Sequence, residues 1–68
     1  MTVVVNGEAL EVVSGTTVSA LLNQLGHNSS GAGIAVALNG EVVRRGAWPA
    51  TELDEHDRIE VLGAAQGG

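Results

Sequence analysis

The sequence predicts a small α+β domain in which one helix covers one face of a mixed sheet of four or five strands. Two Asn-Gly pairs, each lying between short apolar runs, predict two tight β-hairpins. Between them, a stripe of apolar residues at helical spacing predicts a single amphipathic helix. The length of 68 residues allows one domain, near the lower limit for folding without a disulfide or a metal.

The first hairpin is predicted from a β-branched run that leads into an Asn-Gly turn. Residues 2–5 are all Thr or Val, and Asn6-Gly7 suits a type I′ turn, which needs positive φ at both central positions. The returning strand is predicted over residues 8–13, with Leu10 and Val12 on one face.

The helix is predicted to begin after Thr17 and to end before Gly26. Thr17 is a good N-cap, because its hydroxyl can accept a hydrogen bond from a backbone N–H of the first turn. Gly26 supplies the left-handed residue that closes many helices. The apolar stripe at i, i+3, i+4 and i+7 consists of Val18, Leu21, Leu22 and Leu25.

The second hairpin is predicted where large and small apolar residues alternate. In residues 34–38 the large side chains would face the core and the two alanines the opposite side. Asn39-Gly40 then predicts a turn, with residues 41–43 as the returning strand. Residues 44–51 are predicted to be irregular, with Trp48 lying over the edge of the core.

The last strand is predicted over residues 58–62, with Ile59 and Val61 facing the core. In this order of elements, the last strand can pair in parallel with the first, and the helix forms part of the crossover. This is the β-grasp arrangement. The face away from the helix would carry small or exposed residues suited to contact with another protein, namely Val4, Ala35, Ala37, Glu60 and Leu62.

The composition disfavours several classes of function. A formal net charge of −5 argues against binding to nucleic acid or to an anionic membrane surface. No apolar run approaches the ~18 residues that span a bilayer, and no signal-peptide pattern is present. The lack of cysteine excludes disulfides and a thiol nucleophile, and it suits the cytoplasm, which is the expected compartment.

Other candidate sites are weaker. His27 and His56 are far apart in sequence and lack the further ligands of a metal site, so no metal is predicted. Gly31-Ala32-Gly33 lacks the strand-then-helix context of a phosphate loop. Arg44-Arg45 and the acidic segment 52–57 are interpreted as solvated surface, with docking to a partner as the alternative.

The C-terminal residues predict a segment that another protein can act on. Residues 63–68 are small apart from Gln66, and they end in Gly67-Gly68. Two residues without Cβ atoms can enter a narrow channel, and at ~3.3 Å per residue the segment reaches at most about 20 Å. We therefore predict a β-grasp domain over residues 1–62 and a flexible tail over residues 63–68.

These motifs resemble the ThiS family, the sulfur carriers of thiamine biosynthesis within the ubiquitin-like ThiS/MoaD class. The family often has a proline where Arg44 stands and a glycine where His56 stands, so these two departures put the loop conformation in question. The resemblance covers essentially the whole chain and rests on Val5-Asn6-Gly7-Glu8, Thr17-Val18, Leu21-Leu22, residues 35–43, Trp48, Leu53, residues 57–61 and Gly67-Gly68.

The resemblance implies that the Gly68 carboxylate is adenylated by an E1-like, ThiF-type enzyme that uses ATP, and is then converted to a thiocarboxylate. Sulfur would come from a cysteine desulfurase or another donor, and a ThiG-type thiazole synthase would receive it. The chain would be a carrier and not an enzyme, with no catalytic residue, metal or bound cofactor. The expected partner-binding residues are Val4, Ala35, Ala37, Leu62 and Gln66.

Alternatives remain open at this point. The chain could carry sulfur for molybdopterin or another sulfur-containing product, since the small subunit of molybdopterin synthase shares the terminal Gly-Gly. It could also be a ubiquitin-like modifier that forms isopeptide bonds with lysines of other proteins. A passive β-grasp interaction module with an inert tail is the third alternative.

Overall fold

The computed structural model describes residues 1–27 and 33–63. Within them it contains one α-helix, α1 (Val18–Gln24), and one 3₁₀ helix (Arg45–Ala50). The strands are β1 (Thr2–Val5), β2 (Glu8–Glu11), β3 (Ile34–Leu38), β4 (Glu41–Val43) and β5 (Arg58–Gly63).

The strands form one mixed sheet in the order β2-β1-β5-β3-β4. β1 and β5 are parallel, and the other neighbouring pairs are antiparallel. The buried residues of α1 belong to the same core as the buried residues of β1, β3 and β5. The predicted β-grasp fold is therefore confirmed, including the parallel pairing of the first strand with the last.

Both predicted Asn-Gly hairpins are present. Asn6 and Asn39 have φ values of 49° and 50°, and the glycine after each has φ near 88°. In each hairpin the residues that flank the turn pair directly, so each loop has two residues. Positive φ at both central positions is what a type I′ turn requires.

Helix α1 depends on its packing. Thr17 caps it as predicted, because its Oγ1 accepts a hydrogen bond from the Ala20 N–H at 3.1 Å. A helix of seven residues is too short to be stable alone. Val18, Leu21 and Leu22 hold it in place, since each is 2% exposed or less.

The prediction that Leu25 belongs to the apolar stripe of the helix was wrong. Leu25 is the C-cap of α1 and is 37% exposed. The helix ends at Gln24, and Gly26 takes the left-handed conformation with φ of 88°. The Leu25 side chain, which would have completed the stripe, therefore lies at the end of the helix and outside the core. No described helix has the length and the apolar run that crossing a membrane requires.

The core is aliphatic apart from one tryptophan. Trp48 is 3% exposed, and its Nε1–H donates to the Val43 carbonyl at 2.8 Å, so its one polar group has a partner. The buried apolar residues are Val3, Val12, Val18, Leu21, Leu22, Val36, Trp48, Leu53, Ile59 and Val61.

Three further segments differ from the prediction. β2 ends at Glu11, although Val12 stays buried and its N–H still donates to the Met1 carbonyl at 2.8 Å. The segment predicted to be irregular contains the 3₁₀ helix, which carries Trp48 into the core. β5 continues to Gly63, which pairs with Ile34 of β3.

The two positions that depart from the family pattern fit the backbone. Arg44 has φ of −67°, a value that proline would also adopt. His56 has φ of 68°, so the position keeps the left-handed conformation that favours glycine. The His56 N–H donates to the Thr2 carbonyl at 2.6 Å, which ties this strained turn to the start of β1.

Candidate functional site

The sheet face opposite α1, here called the open face, is not covered by any described element. Side chains alternate along each strand, and paired residues of neighbouring strands point to the same side. None of the open-face residues is buried. The open face consists of Thr2, Val4, Ala9, Glu11, Ala35, Ala37, Val42, Arg58, Glu60 and Leu62.

One end of the open face carries four adjoining apolar residues, here called the apolar patch: Ala35, Ala37, Val42 and Leu62. Ala35 pairs with Leu62 across β3 and β5, and Ala37 pairs with Val42 across β3 and β4. Leu62 is 66% exposed and Val42 is 80% exposed. Alanine side chains are short, so these two exposed branched side chains and two alanines form an apolar surface that another protein can pack against closely.

The predicted partner-binding residues are only partly brought together. Ala35, Ala37 and Leu62 lie in the apolar patch, as the alternation in the sequence indicated. Val4 is on the same face but pairs with Arg58 on β5, four residues before Leu62. It is half-buried and separate from the patch.

Val42 is the member of the patch that the sequence reasoning missed. A two-residue turn at Asn39-Gly40 fixes the hairpin register, so Leu38 must face Glu41 and Ala37 must face Val42. The predicted outward orientation of Ala37 therefore already placed Val42 on the open face. That signal was present in the sequence.

The patch lies beside the point at which the chain continues to its C-terminal residues. Leu62 precedes Gly63, the last residue of β5. Gln66, Gly67 and Gly68, the other residues predicted to act in binding and sulfur carriage, lie outside the described residues. The predicted boundary between residues 1–62 and 63–68 falls one residue before the end of β5.

The far end of the open face is polar. The Thr2 hydroxyl donates a hydrogen bond to the Glu11 carboxylate. That bond is the main reason why the pKa of Glu11 lies below its ordinary value of 4.5, and the nearby Met1 ammonium lowers it further. The open face is therefore asymmetric. The Glu11 carboxylate lies at the β2 edge of the sheet, and the apolar patch lies towards the β4 edge.

A metal site does not form among the residues that the structure describes. No group of three or more His, Cys, Asp or Glu residues there is arranged to hold an ion. His56 is exposed and lies 3.4 Å from a carboxylate oxygen of Glu55, its neighbour in the chain.

Known proteins are similar to this chain in sequence and in fold. The family model of the ThiS family matches residues 3–68. The sulfur carrier protein ThiS of Escherichia coli (strain K12) is 32% identical over 68 residues, which is all of both chains. Two solved structures of a thiamine biosynthesis protein from Geobacter metallireducens are also similar.

The first of these is a crystal structure of a ThiS protein. It is 34% identical, covers 91% of each chain and superposes with a TM-score of 0.80. The second is a solution NMR structure with 33% identity and a TM-score of 0.76, which covers 91% of this chain and 81% of the other.

The fold, the apolar patch and the Gly-Gly at positions 67 and 68 define a small β-grasp protein of the ubiquitin-like class. Identity of 32% along the whole of both chains is the signal of common descent within one family. The chain belongs to the ThiS family.

Proposed function

We propose that this chain is the sulfur carrier of thiamine biosynthesis and that Gly68 holds the sulfur as a C-terminal thiocarboxylate. The observation that supports this most directly is the match to the ThiS family, which extends through Gly67-Gly68. The role of the folded domain is then to present this terminus to other proteins.

The chemistry requires activation from outside the chain. A carboxylate is a poor electrophile, because its oxygen is a poor leaving group. An E1-like enzyme of the ThiF type joins the Gly68 carboxylate to AMP at the expense of ATP and releases pyrophosphate. A cysteine desulfurase supplies sulfur as a persulfide, so a thiol reductant must release it at the oxidation level of sulfide. This sulfide, or sulfide from another donor, then displaces AMP and leaves the thiocarboxylate.

The thiocarboxylate is the form that leaves for the next enzyme. A thiazole synthase of the ThiG type takes the sulfur, an oxygen atom from water or from the sulfur acceptor replaces it on the Gly68 carbonyl carbon, and the chain returns to the carboxylate. In every step the reacting group belongs to the terminus, so the chain acts as a substrate and carrier for its partners. It needs no resident metal or cofactor for this task.

The apolar patch is the docking surface in this proposal. Leu62 and Val42 are exposed beside two alanines, and Leu62, which pairs with Ala35, directly precedes Gly63. A partner that covers Leu62 also lies beside Gly63, the last residue of β5. The formal net charge of −5 favours a partner with a basic surface around its active site.

The test is intact-mass spectrometry of the chain after incubation with its ThiF-type enzyme, ATP and a sulfur donor. We expect the mass increase of one oxygen exchanged for one sulfur. A variant that lacks Gly68 should fold and melt like the parent yet gain no sulfur. Covalent attachment to lysines of other proteins, or an unchanged mass in the parent chain, would contradict the proposal.

A further inference from the structure

The central strand β5 is held near both ends by side-chain amides from the two Asn-Gly turns. At its start, Asn39 Oδ1 accepts from the Arg58 N–H at 2.9 Å, and Asn39 Nδ2 donates to Asp57 Oδ1 at 3.0 Å. Nearer its end, Asn6 Oδ1 accepts from the Val61 N–H at 2.9 Å. Asn6 Nδ2 donates to the Val61 carbonyl at 3.3 Å.

In both turns the side chain takes the place of a main-chain carbonyl. The Asn6 N–H donates to the Ile59 carbonyl at 2.9 Å, so a continued parallel ladder would pair the Asn6 carbonyl with the Val61 N–H. The turn carries that carbonyl away, and Oδ1 accepts the bond instead. Asn39 does the same for Arg58 on the other edge of β5.

Asn6 and Asn39 differ in which part of β5 follows the residue that each of them binds. Pairing between β1 and β5 ends at Val5 and Ile59, so among the described residues the Asn6 amide makes the last hydrogen bond from the β1 side to β5 before Gly63. After Val61, the strand is paired only on its β3 edge, through Leu62 and Gly63. Asn39 holds the opposite end of the strand.

We propose that Asn6 is a positioning residue for sulfur loading, an inference that rests on the proposed function. Its amide keeps the end of β5 in the sheet, so that Leu62 stays in the apolar patch and Gly63 keeps its pairing with Ile34. If residues 61–63 came loose, they would have to be ordered again when the terminus enters an active site. Correct placement of the reacting group is a large part of catalytic rate.

Asn6→Gly and Asn39→Gly form a matched pair for the test. Each removes two side-chain hydrogen bonds, and each leaves a Gly-Gly pair that suits the turn. A third variant, Asn6→Asp, keeps an acceptor for the Val61 N–H but replaces the donor to the Val61 carbonyl with an oxygen.

The first measurement is native-state amide exchange on the isolated protein, which does not depend on the function. Asn6→Gly should speed exchange at Val61 roughly tenfold, the effect of losing about one net hydrogen bond, with little change at Arg58. Asn39→Gly should show the reverse pattern. Unchanged exchange at Val61 in Asn6→Gly would overturn the inference.

The second measurement is the rate of thiocarboxylate formation with the ThiF-type enzyme, at a temperature where all variants are folded. Asn6→Gly should lower kcat several-fold at nearly constant KM, because the patch still docks while the terminus is less well placed. Asn6→Asp should lie between it and the parent, and Asn39→Gly should match the parent. Equal rates for the two glycine variants would overturn the inference, whereas a parent chain that forms no thiocarboxylate would overturn the proposed function itself.

Discussion

The two faces of the sheet carry apolar residues for different purposes. On the helix-covered face, Val36, Ile59 and Val61 are at most 9% exposed and belong to the core. On the open face, Leu62 and Val42 are mostly exposed, so they add little to the stability of the isolated domain. Because Leu62 and Val42 are exposed to water in the isolated domain, they are available for contact with a partner.

Neighbouring residues of one strand show this difference most directly. Val36 is 1% exposed, while Ala37, the next residue of β3, lies on the open face beside Glu60 and Val42. The strand thus supplies the core and the candidate docking surface with alternate side chains. Substitutions on the two faces should therefore separate stability from binding.

The largest effect is expected for Val36→Asp compared with Ala37→Asp. The first places an unpaired charge in the core, at a cost of at least about 3 kcal/mol, which is most of the stability of so small a domain. The second places a carboxylate opposite Glu60 and should cost at most about 1 kcal/mol. Urea denaturation followed by circular dichroism measures both.

Two results would contradict the assignment of Val36 to the core and Ala37 to the open face. If Ala37→Asp unfolds the domain while Val36→Asp leaves it folded, the two faces are assigned the wrong way round. If both variants unfold it, the open face contributes to the stability of the monomer, contrary to the low burial of its residues.

A smaller effect is expected for Leu62→Glu, in binding and not in folding. Because Leu62 is 66% exposed, the free energy of unfolding should change by no more than about 0.5 kcal/mol. The affinity for the ThiF-type enzyme should fall about tenfold or more if Leu62 is a central contact. Titration calorimetry or surface plasmon resonance gives the dissociation constant.

Val13→Glu is the matched control, because Val13 is 78% exposed but lies just after β2, away from the apolar patch. It adds the same charge to the chain as Leu62→Glu. An equal loss of affinity in both variants would mean that added negative charge, and not loss of the patch, weakens binding.

The smallest effect concerns the polar end of the open face and depends on pH. The Thr2 hydroxyl holds the pKa of Glu11 below its unfolded value, so this contact stabilises the fold above pH 4.5 and the contribution is lost as pH falls through the folded pKa. Thr2→Val should therefore be less stable than the parent at neutral pH, and the difference should shrink in acid.

Denaturation curves at pH 7 and at a series of lower values test this. The Glu11 side chain is fully solvated, so added salt should weaken the attraction between its carboxylate and the Met1 ammonium. A difference between Thr2→Val and the parent that stays constant from neutral to acid pH would show that packing of the substituted side chain, and not the Glu11 carboxylate, causes it.

The sequence by itself determined the order and type of the main elements, because local rules act within a few residues. Asn-Gly pairs set the two turns and their register, Thr17 capped the helix, and alternation placed Ala35 and Ala37 on the outer face. The fold could therefore be predicted almost completely. Of the four described residues predicted to bind a partner, Ala35, Ala37 and Leu62 lie together in the apolar patch, and their role in binding stays a prediction.

Only the tertiary structure decided what depends on contacts between distant segments. The end of the helix stripe could not be predicted, because apolar spacing alone does not say how far along α1 the core extends, and Leu25 at the C-cap is 37% exposed. Val4 is separated from the patch by the register of β5 against β1, which no local pattern encodes. The amide of Asn6 reaches Val61 across 55 positions of sequence, so its second role becomes visible only when the two strands lie side by side.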